Sequence, residues 1–316
     1  MTKPQEVAPG VWYLGFNVAN VYLAGTKDSW VVIDTSGPGQ AGAIRAAGEQ
    51  LFGRGAKPAA VILTHAHFDH FGSAMDLLKA YANVPVYAHH MDAPYLTGRD
   101  KTAPGDPTVG GFFAQVYRAF PKRQGVDLSP WFRELPANGT VPGLFGWHWF
   151  HTPGHTPGHV SLWRESDRVL IAGDAVITVN LDSLANVISK EPVVSRPPTP
   201  ATPDWVSARE SVRRLASLRP RVLVTGHGLP MFGDAAESGL RHLAEHFEAP
   251  WHGRYADAAP VYNTYGVKYI PPPAPDLLAI GALASGIGAA AAFLMHQQVN
   301  SQTVQTPQTN ADVVRV

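Results

Sequence analysis

The sequence predicts an α/β fold built on mixed sheets, and three observations carry that reading. Four short apolar runs each end abruptly in a polar residue: WVVIDTSG at Asp34, AVILTHAH at Thr64 and His65, RVLIAGDAV at Asp174, and RVLVTGHGLP at His227. Continuous Val/Ile/Leu runs of this length read as strands buried on both faces. Helical patterns stand between them, which packs helices outside a sheet core. The first 35 residues are of another kind, rich in β-branched and aromatic residues with turn signals at Gly15 and Gly25–Thr26. They read as antiparallel hairpins, so the sheets are expected to be mixed.

Taken in order, the helical patterns fall at about 41–52, 72–81, 204–218 and 235–248, and Asp204, after Pro203, has the place of an N-cap. Two stretches fit no single element. Residues 97–143 are rich in Gly and Pro but hold a short aromatic helix pattern, Phe112, Phe113, Tyr117 and Phe120; residues 176–203 contain RPPTPATP. Long loops in a compact domain often form lids or binding loops, with plain surface decoration as the alternative. In open α/β sheets the carboxyl ends of buried strands usually line the site. Here those ends carry Asp34, His65, Asp174 and His227.

Composition narrows the chemistry. The chain has 316 residues, 45% hydrophobic and 16% charged, a globular composition. Lys+Arg and Asp+Glu balance at 25 each, which leaves no basic excess for a nucleic-acid partner. Cysteine is absent, so disulfides, zinc ribbons, iron–sulfur clusters and thiol nucleophiles are excluded. Any metal must be held by His, Asp or Glu. The 14 His are clustered.

The strongest signal is His65-Ala66-His67-Phe68-Asp69-His70, directly after a buried strand. Histidines at i and i+2 in an extended turn project to one side and can pinch one ion, and the Asp69–His70 pair can face a second. A surface-loop histidine cluster is the ordinary alternative, at odds with unpaired polar groups beside a core strand. Further donors stand at matching places: the HTPGHTPGH loop after the aromatic strand WHWF, Asp174, and His227. Spacing alone does not choose among His151, His155 and His159. His151 reads as strand and His159 as the start of the next strand, while His155 lies in the tight loop between two Pro-Gly turns.

These motifs in this order, with Asp34 in VVIDTSG as the first, resemble the metallo-β-lactamase superfamily over about residues 7–250, on its glyoxalase II- and lactonase-like hydrolase side. The resemblance implies a four-layer αββα sandwich with two divalent ions at one edge. His65, His67 and His155 would hold one ion and Asp69, His70 and His227 the other, with Asp174 shared. Zinc is the first choice, and iron or manganese accept the same ligands. The implied reaction is hydrolysis of an ester, lactone, thioester or amide in a small-molecule substrate through a metal-bridging hydroxide, with Asp69 and Asp174 as catalytic carboxylates. Asp34 is read as orienting an imidazole or a loop amide, or as a simple turn cap; Thr64 and Thr225 are read as supports of the same kind.

Departures from the subfamilies are informative. His67 stands where flavodiiron oxygen reductases carry an acid. The basic surface of the family's ribonucleases is missing, as is the helical domain with glutathione-binding basic residues of glyoxalase II. The Tyr expected soon after the bridging Asp in acyl-homoserine-lactone hydrolases is absent from AVITVNLDSL. The alternatives carried beside the hydrolase are a mononuclear iron sulfur dioxygenase and a non-catalytic metal-binding module.

The expected organisation is a catalytic domain over 1–254, a Pro-rich linker over 255–276, a hydrophobic helix over 277–296 and a polar tail over 297–316. The uncharged run 277–295 would span roughly 28 Å as a helix, close to a bilayer core of about 30 Å. The reading is therefore a C-terminal membrane anchor with a cytoplasmic catalytic domain, a soluble helix or tail being the alternative. Gly281, Ser285 and Ala289 form a small-residue stripe along which two such helices could meet as a homodimer.

Overall fold

In the computed structural model, residues 3–277 and 280 are described. Contacts divide the chain into a compact unit, Met1–Pro273, and a second, Ala274–Val316. The first unit opens with β1 (Gln5–Ala8), β2 (Val11–Leu14), β3 (Val21–Gly25) and β4 (Trp30–Ile33). Then follow α1 (Ala41–Phe52), β5 (Ala60–Ile62), α2 (Phe68–Phe71), α3 (Ala74–Tyr81), β6 (Val86–Ala88), α4 (Ala93–Leu96), α5 (Phe112–Tyr117) and β7 (Phe132–Glu134). These seven strands form one sheet in chain order, antiparallel from β1 to β4 and parallel from β4 to β7.

The second sheet has six strands, β8 (Thr140–Val141), β9 (Leu144–His151), β10 (Val160–Arg164), β11 (Val169–Ile171), β12 (Val222–Val224) and β13 (Met231–Phe232). Only β11 and β12 pair in parallel there. The segment after β11 holds α6 (Leu184–Ser189) and α7 (Trp205–Ser217), and α8 (Gly233–Glu245) follows β13. Asp204 caps α7 as expected, its carboxylate accepting from the Ser207 amide.

The strands alternate faces with period two, and this builds three apolar layers. Val31, Ile33, Ala60 and Ile62 meet Val160, Leu162, Val169 and Ile171 between the sheets. Their neighbours Trp30, Val32, Val61 and Leu63 turn outward onto Ile44 and Ala47 of α1 and Leu77 and Leu78 of α3. On the far side Leu170 and Leu223 pack on Val212 and Leu215 of α7 and Leu240 of α8. Helices, sheet, sheet, helices is the resulting order. A one-residue register slip in β4 or β5 would exchange two layers at once, so the alternation fixes the pairing.

The segment read from its prolines as a linker differs from that reading. Residues 261–269 pair as a hairpin, β14 (Val261–Asn263) and β15 (Gly266–Tyr269). Tyr255 packs in the layer under α7 and α8. The Val267 amide donates to Asp100 Oδ2 at 2.8 Å and the Tyr255 hydroxyl donates to the Pro104 carbonyl. The compact unit thus extends past the expected boundary at residue 254. The expected hydrophobic helix over 277–295 lies outside the described residues except at Leu277 and Ile280. Among the described residues no helix is long and apolar enough to cross a membrane.

Candidate metal centre

Every candidate ligand stands just past the carboxyl end of a strand. His65 and His67 follow β5, Asp69 and His70 ride on α2, His155 follows β9, Asp174 follows β11 and His227 follows β12. One sheet therefore supplies His65, His67, Asp69 and His70, and the other supplies His155, Asp174 and His227. Their donor atoms form three overlapping groups, each within 4.8 Å: His65/His67/His155, His65/His70/Asp174, and Asp69/His70/His227. Asp174 Oδ2 lies 3.4 Å from His155 Nε2, 3.5 Å from His70 Nε2 and 3.1 Å from His227 Nε2. It stands between the two halves of the set.

Supporting hydrogen bonds fix which ring nitrogen is free. The Thr64 hydroxyl donates to Asp34 Oδ2, so it accepts from His65 Nδ1–H at 3.0 Å. The Thr202 hydroxyl donates to the Pro198 carbonyl and accepts from His155 Nδ1–H at 2.9 Å. His70 Nδ1–H donates to Asp34 Oδ2 at 2.8 Å. In His65 and His70 this leaves Nε2 as the ligand atom, and in His155 it leaves Nε2 as an acceptor, 2.9 Å from His67 Nδ1. Asp34 also accepts from the Thr64 amide at 2.7 Å. It therefore orients both an imidazole and a loop amide, and it holds a left-handed backbone, φ 58°, to do so. Thr225 supports backbone instead, its hydroxyl donating to the His227 carbonyl.

Burial and charge divide the set in two. Burial, reinforced by neighbouring imidazoles, holds His65 and His155 well below the usual histidine range and brings His67 down to about 4. Burial also opposes charge on His70 and His227. There it is outweighed by carboxylates acting together, Asp174 with Asp34 and Asp69 at His70, and Asp174 with Asp69 at His227. His70 is raised well above its usual range and His227 to about 10. Burial would lift Asp174 and Asp69, but the His70 and His227 cations pull both down.

The residues fit bound metal. His65 Nε2, His70 Nε2 and Asp174 Oδ1 are buried without a hydrogen-bond partner. Each such orphan costs about 1–3 kcal/mol unless something binds it. Space is kept for them by Gly226, where a Cβ would collide with Asp174 Oδ1 and stand 2.6 Å from His70 Cε1.

Of the three loop histidines, His155 joins the donor set and the other two do not. His151 Nε2–H donates to the Pro157 carbonyl, and its ring stacks on His89 with centroids 4.2 Å apart. His159, expected at the start of the next strand, positions Asp174 as well: its Nε2 accepts from the Asp174 amide at 2.8 Å, and its Nδ1–H donates to Thr152. Asp92 was missed altogether. It accepts from the Ala66 amide, the Thr156 hydroxyl and the Gly158 amide at 2.7–2.8 Å, tying the loop of His65 and His67 to the loop of His155. No spacing marks Asp92, because its partners lie 26 and more than 60 residues away.

The donor set opens into a cavity of about 330 Å³ whose floor holds His67, Asp69, His155, Asp174 and His227. The expected aromatic helix, α5, lines its wall. The two irregular stretches meet here, the Phe112 amide donating to the Asp182 carbonyl and the Asp106 amide to the Pro200 carbonyl.

A two-sheet sandwich with His/Asp donors at one edge defines a class of metal-dependent proteins. Residues 14–227 match the family model described as the Metallo-beta-lactamase superfamily, and the chain belongs to that superfamily. It is 44% identical over 243 residues to the probable metallo-hydrolase YflN of Bacillus subtilis (strain 168), covering 76% of this chain and 91% of that one. It is 28% identical over 189 residues to the atrochrysone carboxyl ACP thioesterase of Passalora fulva, covering 56% and 46%. Among solved structures, a metallo-beta-lactamase family protein from Thermus thermophilus, TTHA1429, shares the fold, with a TM-score of 0.50, 20% identity, and 76% and 80% of the two chains covered.

Proposed function

We propose that this chain is a binuclear metal-dependent hydrolase of carbonyl substrates: esters, lactones, thioesters or amides. His65, His67 and His155 would hold one ion, Asp69, His70 and His227 the other, and Asp174 both, with zinc the first choice. The observation that carries this reading is Asp174 Oδ2, within 3.5 Å of imidazole nitrogens from both groups. Bound there, the ions would supply an acidified water and a polarised carbonyl. The protein's own groups do the rest. Asp69, ionised and facing the cavity, can take a proton at Oδ2 and return it to the leaving group. The aromatic wall keeps bulk water from the floor and strengthens each charge interaction there. The thioesterase relative supports counting thioesters among the substrates.

Metal analysis of the purified protein, followed by an ester, lactone and thioester panel, tests the reading. Close to two ions per chain are expected, and Asp174→Ala should release at least one and lose most of the turnover. A variant that keeps both ions and full turnover overturns the shared-ligand assignment. His155→Ala should empty the first group while His151→Ala does not. The same proposal includes membrane attachment through 277–295, which rests on the sequence. Full-length protein should stay in the membrane pellet after a high-salt wash, and recovery wholly in the soluble fraction overturns it.

A further inference from the structure

The donor set faces two compartments, the second more polar than the first. The first is the cavity beside α5, where Phe113 and Phe120 stand with ring centroids 6.3 Å apart and Phe68 packs 5.3 Å from Phe120. Val116 and Leu181 also line it, and its only ionisable carboxylates and imidazoles among the described residues are those of the donor set. The second, about 270 Å³, brings Asn17 and Lys190 among Phe16, Val179 and Leu229, with Asn20 held there by donating to the Thr225 and Gly228 carbonyls. The two share Asn17, Val18, Leu181, Val187 and His227, so they are arms of one cleft. Among the described residues, Lys190 is the sole Lys or Arg lining either arm.

The ligands are distributed unevenly between the arms. His67, Asp69, His155 and Asp174 open into the apolar arm and not into the other; His227 is the one donor that opens into both. On the hydrolase reading, the group holding His67 and His155 faces the carbonyl oxygen, and His227 belongs to the side that receives the leaving group. The carbon chain on the acyl side must then run along α5, and the leaving part must enter the arm of Asn17 and Lys190. An anionic acyl chain would be desolvated against the aromatic wall with no Lys or Arg beside it in the apolar arm.

We infer that the substrate is an acyl compound with an uncharged, apolar acyl chain seated against Phe113, Val116 and Phe120, and a small polar or singly anionic leaving part beside Lys190. This rests on the hydrolase reading and adds polarity and orientation to it. In the reaction water adds to the acyl carbon, the acyl C–O or C–S bond breaks, and the leaving group departs with a proton. Each methylene buried along α5 is worth about fourfold in kcat/KM, from about 0.8 kcal/mol per methylene.

Two isomeric esters separate orientation from greasiness. Ethyl octanoate and octyl acetate have the same formula, but the chain lies on the acyl side in one and on the alcohol side in the other. We expect ethyl octanoate to be cleaved at least tenfold more efficiently. Phe113→Ala should remove most of that preference, lowering kcat/KM for ethyl octanoate at least tenfold more than for ethyl acetate. Equal rates for the isomers, or preference for octyl acetate, overturn the inference while leaving the hydrolase reading intact. A second measurement needs no turnover: chelator-treated protein should bind octanamide, with Phe113→Ala weakening it at least fivefold. If octanamide does not bind, the apolar arm is not an acyl site. If it binds and metal-loaded protein cleaves no ester, lactone, thioester or amide, the hydrolase reading fails and the chain-binding arm stands.

Discussion

Asp92 accepts hydrogen bonds on both carboxylate oxygens, from two amides and one hydroxyl. Asp92→Asn keeps the shape but turns one oxygen into a donor that faces another donor, a loss of about 1–3 kcal/mol. The expected outcome is a lowered melting temperature and weaker metal retention in the His65/His67/His155 group; unchanged retention would remove Asp92 from the site's support. The ligands themselves were legible because each sits in a short local pattern at a strand end. Asp92, His159 and Thr202 were not, since their roles exist only once distant loops meet. Charge at the ligands gives a pH prediction. His65, His67 and His155 are held low, so at neutral pH they already offer bare nitrogens. His70 and His227 are held high, so in metal-free protein they must shed protons before ligating. Affinity for the ion at Asp69/His70/His227 should therefore rise with pH, up to tenfold per proton per unit, as pH climbs toward about 10 at His227. The other ion's affinity should stay flat above about pH 5. Calorimetry in buffers of differing ionisation enthalpy reads the protons released; equal release at both ions would contradict the division.

Among the elements, α5 was legible as an aromatic stripe but not in its two roles. Both Phe113 and Tyr117 line the cavity, but Tyr117 is buried, packed against Gly105 and Phe120, while Phe113 is half-buried. Tyr117→Ala should cost about 3 kcal/mol, roughly 5–10 °C in Tm, and slow every substrate alike. A selective effect on long acyl chains with no thermal shift would exchange the roles of Tyr117 and Phe113. The hairpin β14–β15 was not legible, because prolines and a drop in periodicity look the same in a linker and in a short edge ribbon. Yet it bonds to Asp100 and lays Tyr262 beside a small cavity that His67 and His155 also line. A chain ending at Arg254 should accordingly lose stability and loosen the 97–106 loop, while one ending at Pro273 should keep its melting temperature. Thermal unfolding and limited proteolysis of the two chains check this.

At the scale of the molecule, the order of strands and the three apolar layers follow from period-two alternation in buried runs, which is why the sandwich could be read from sequence. The chemistry lies across the layers, four ligands from one sheet and three from the other. Ions bound there stabilise only the docked pair of sheets. At a thousandfold excess over Kd this linkage is worth about 4 kcal/mol, on the order of 10 °C in Tm. Chelation should lower Tm by that amount and leave a folded protein, since the Asp174–His70 and Asp69–His227 pairs still join the sheets. A fall to an unfolded chain would mean that the layers alone do not hold the fold.

The split of the donors also sets a clock. During synthesis His65, His67, Asp69 and His70 leave the ribosome long before His227, and at about 5–20 residues per second the gap is roughly ten seconds or more. Throughout that interval the nascent chain carries an incomplete, exposed histidine cluster that can pick up stray ions without closing the centre. On the proposed reading, closure of the centre must wait until the second sheet docks on the first.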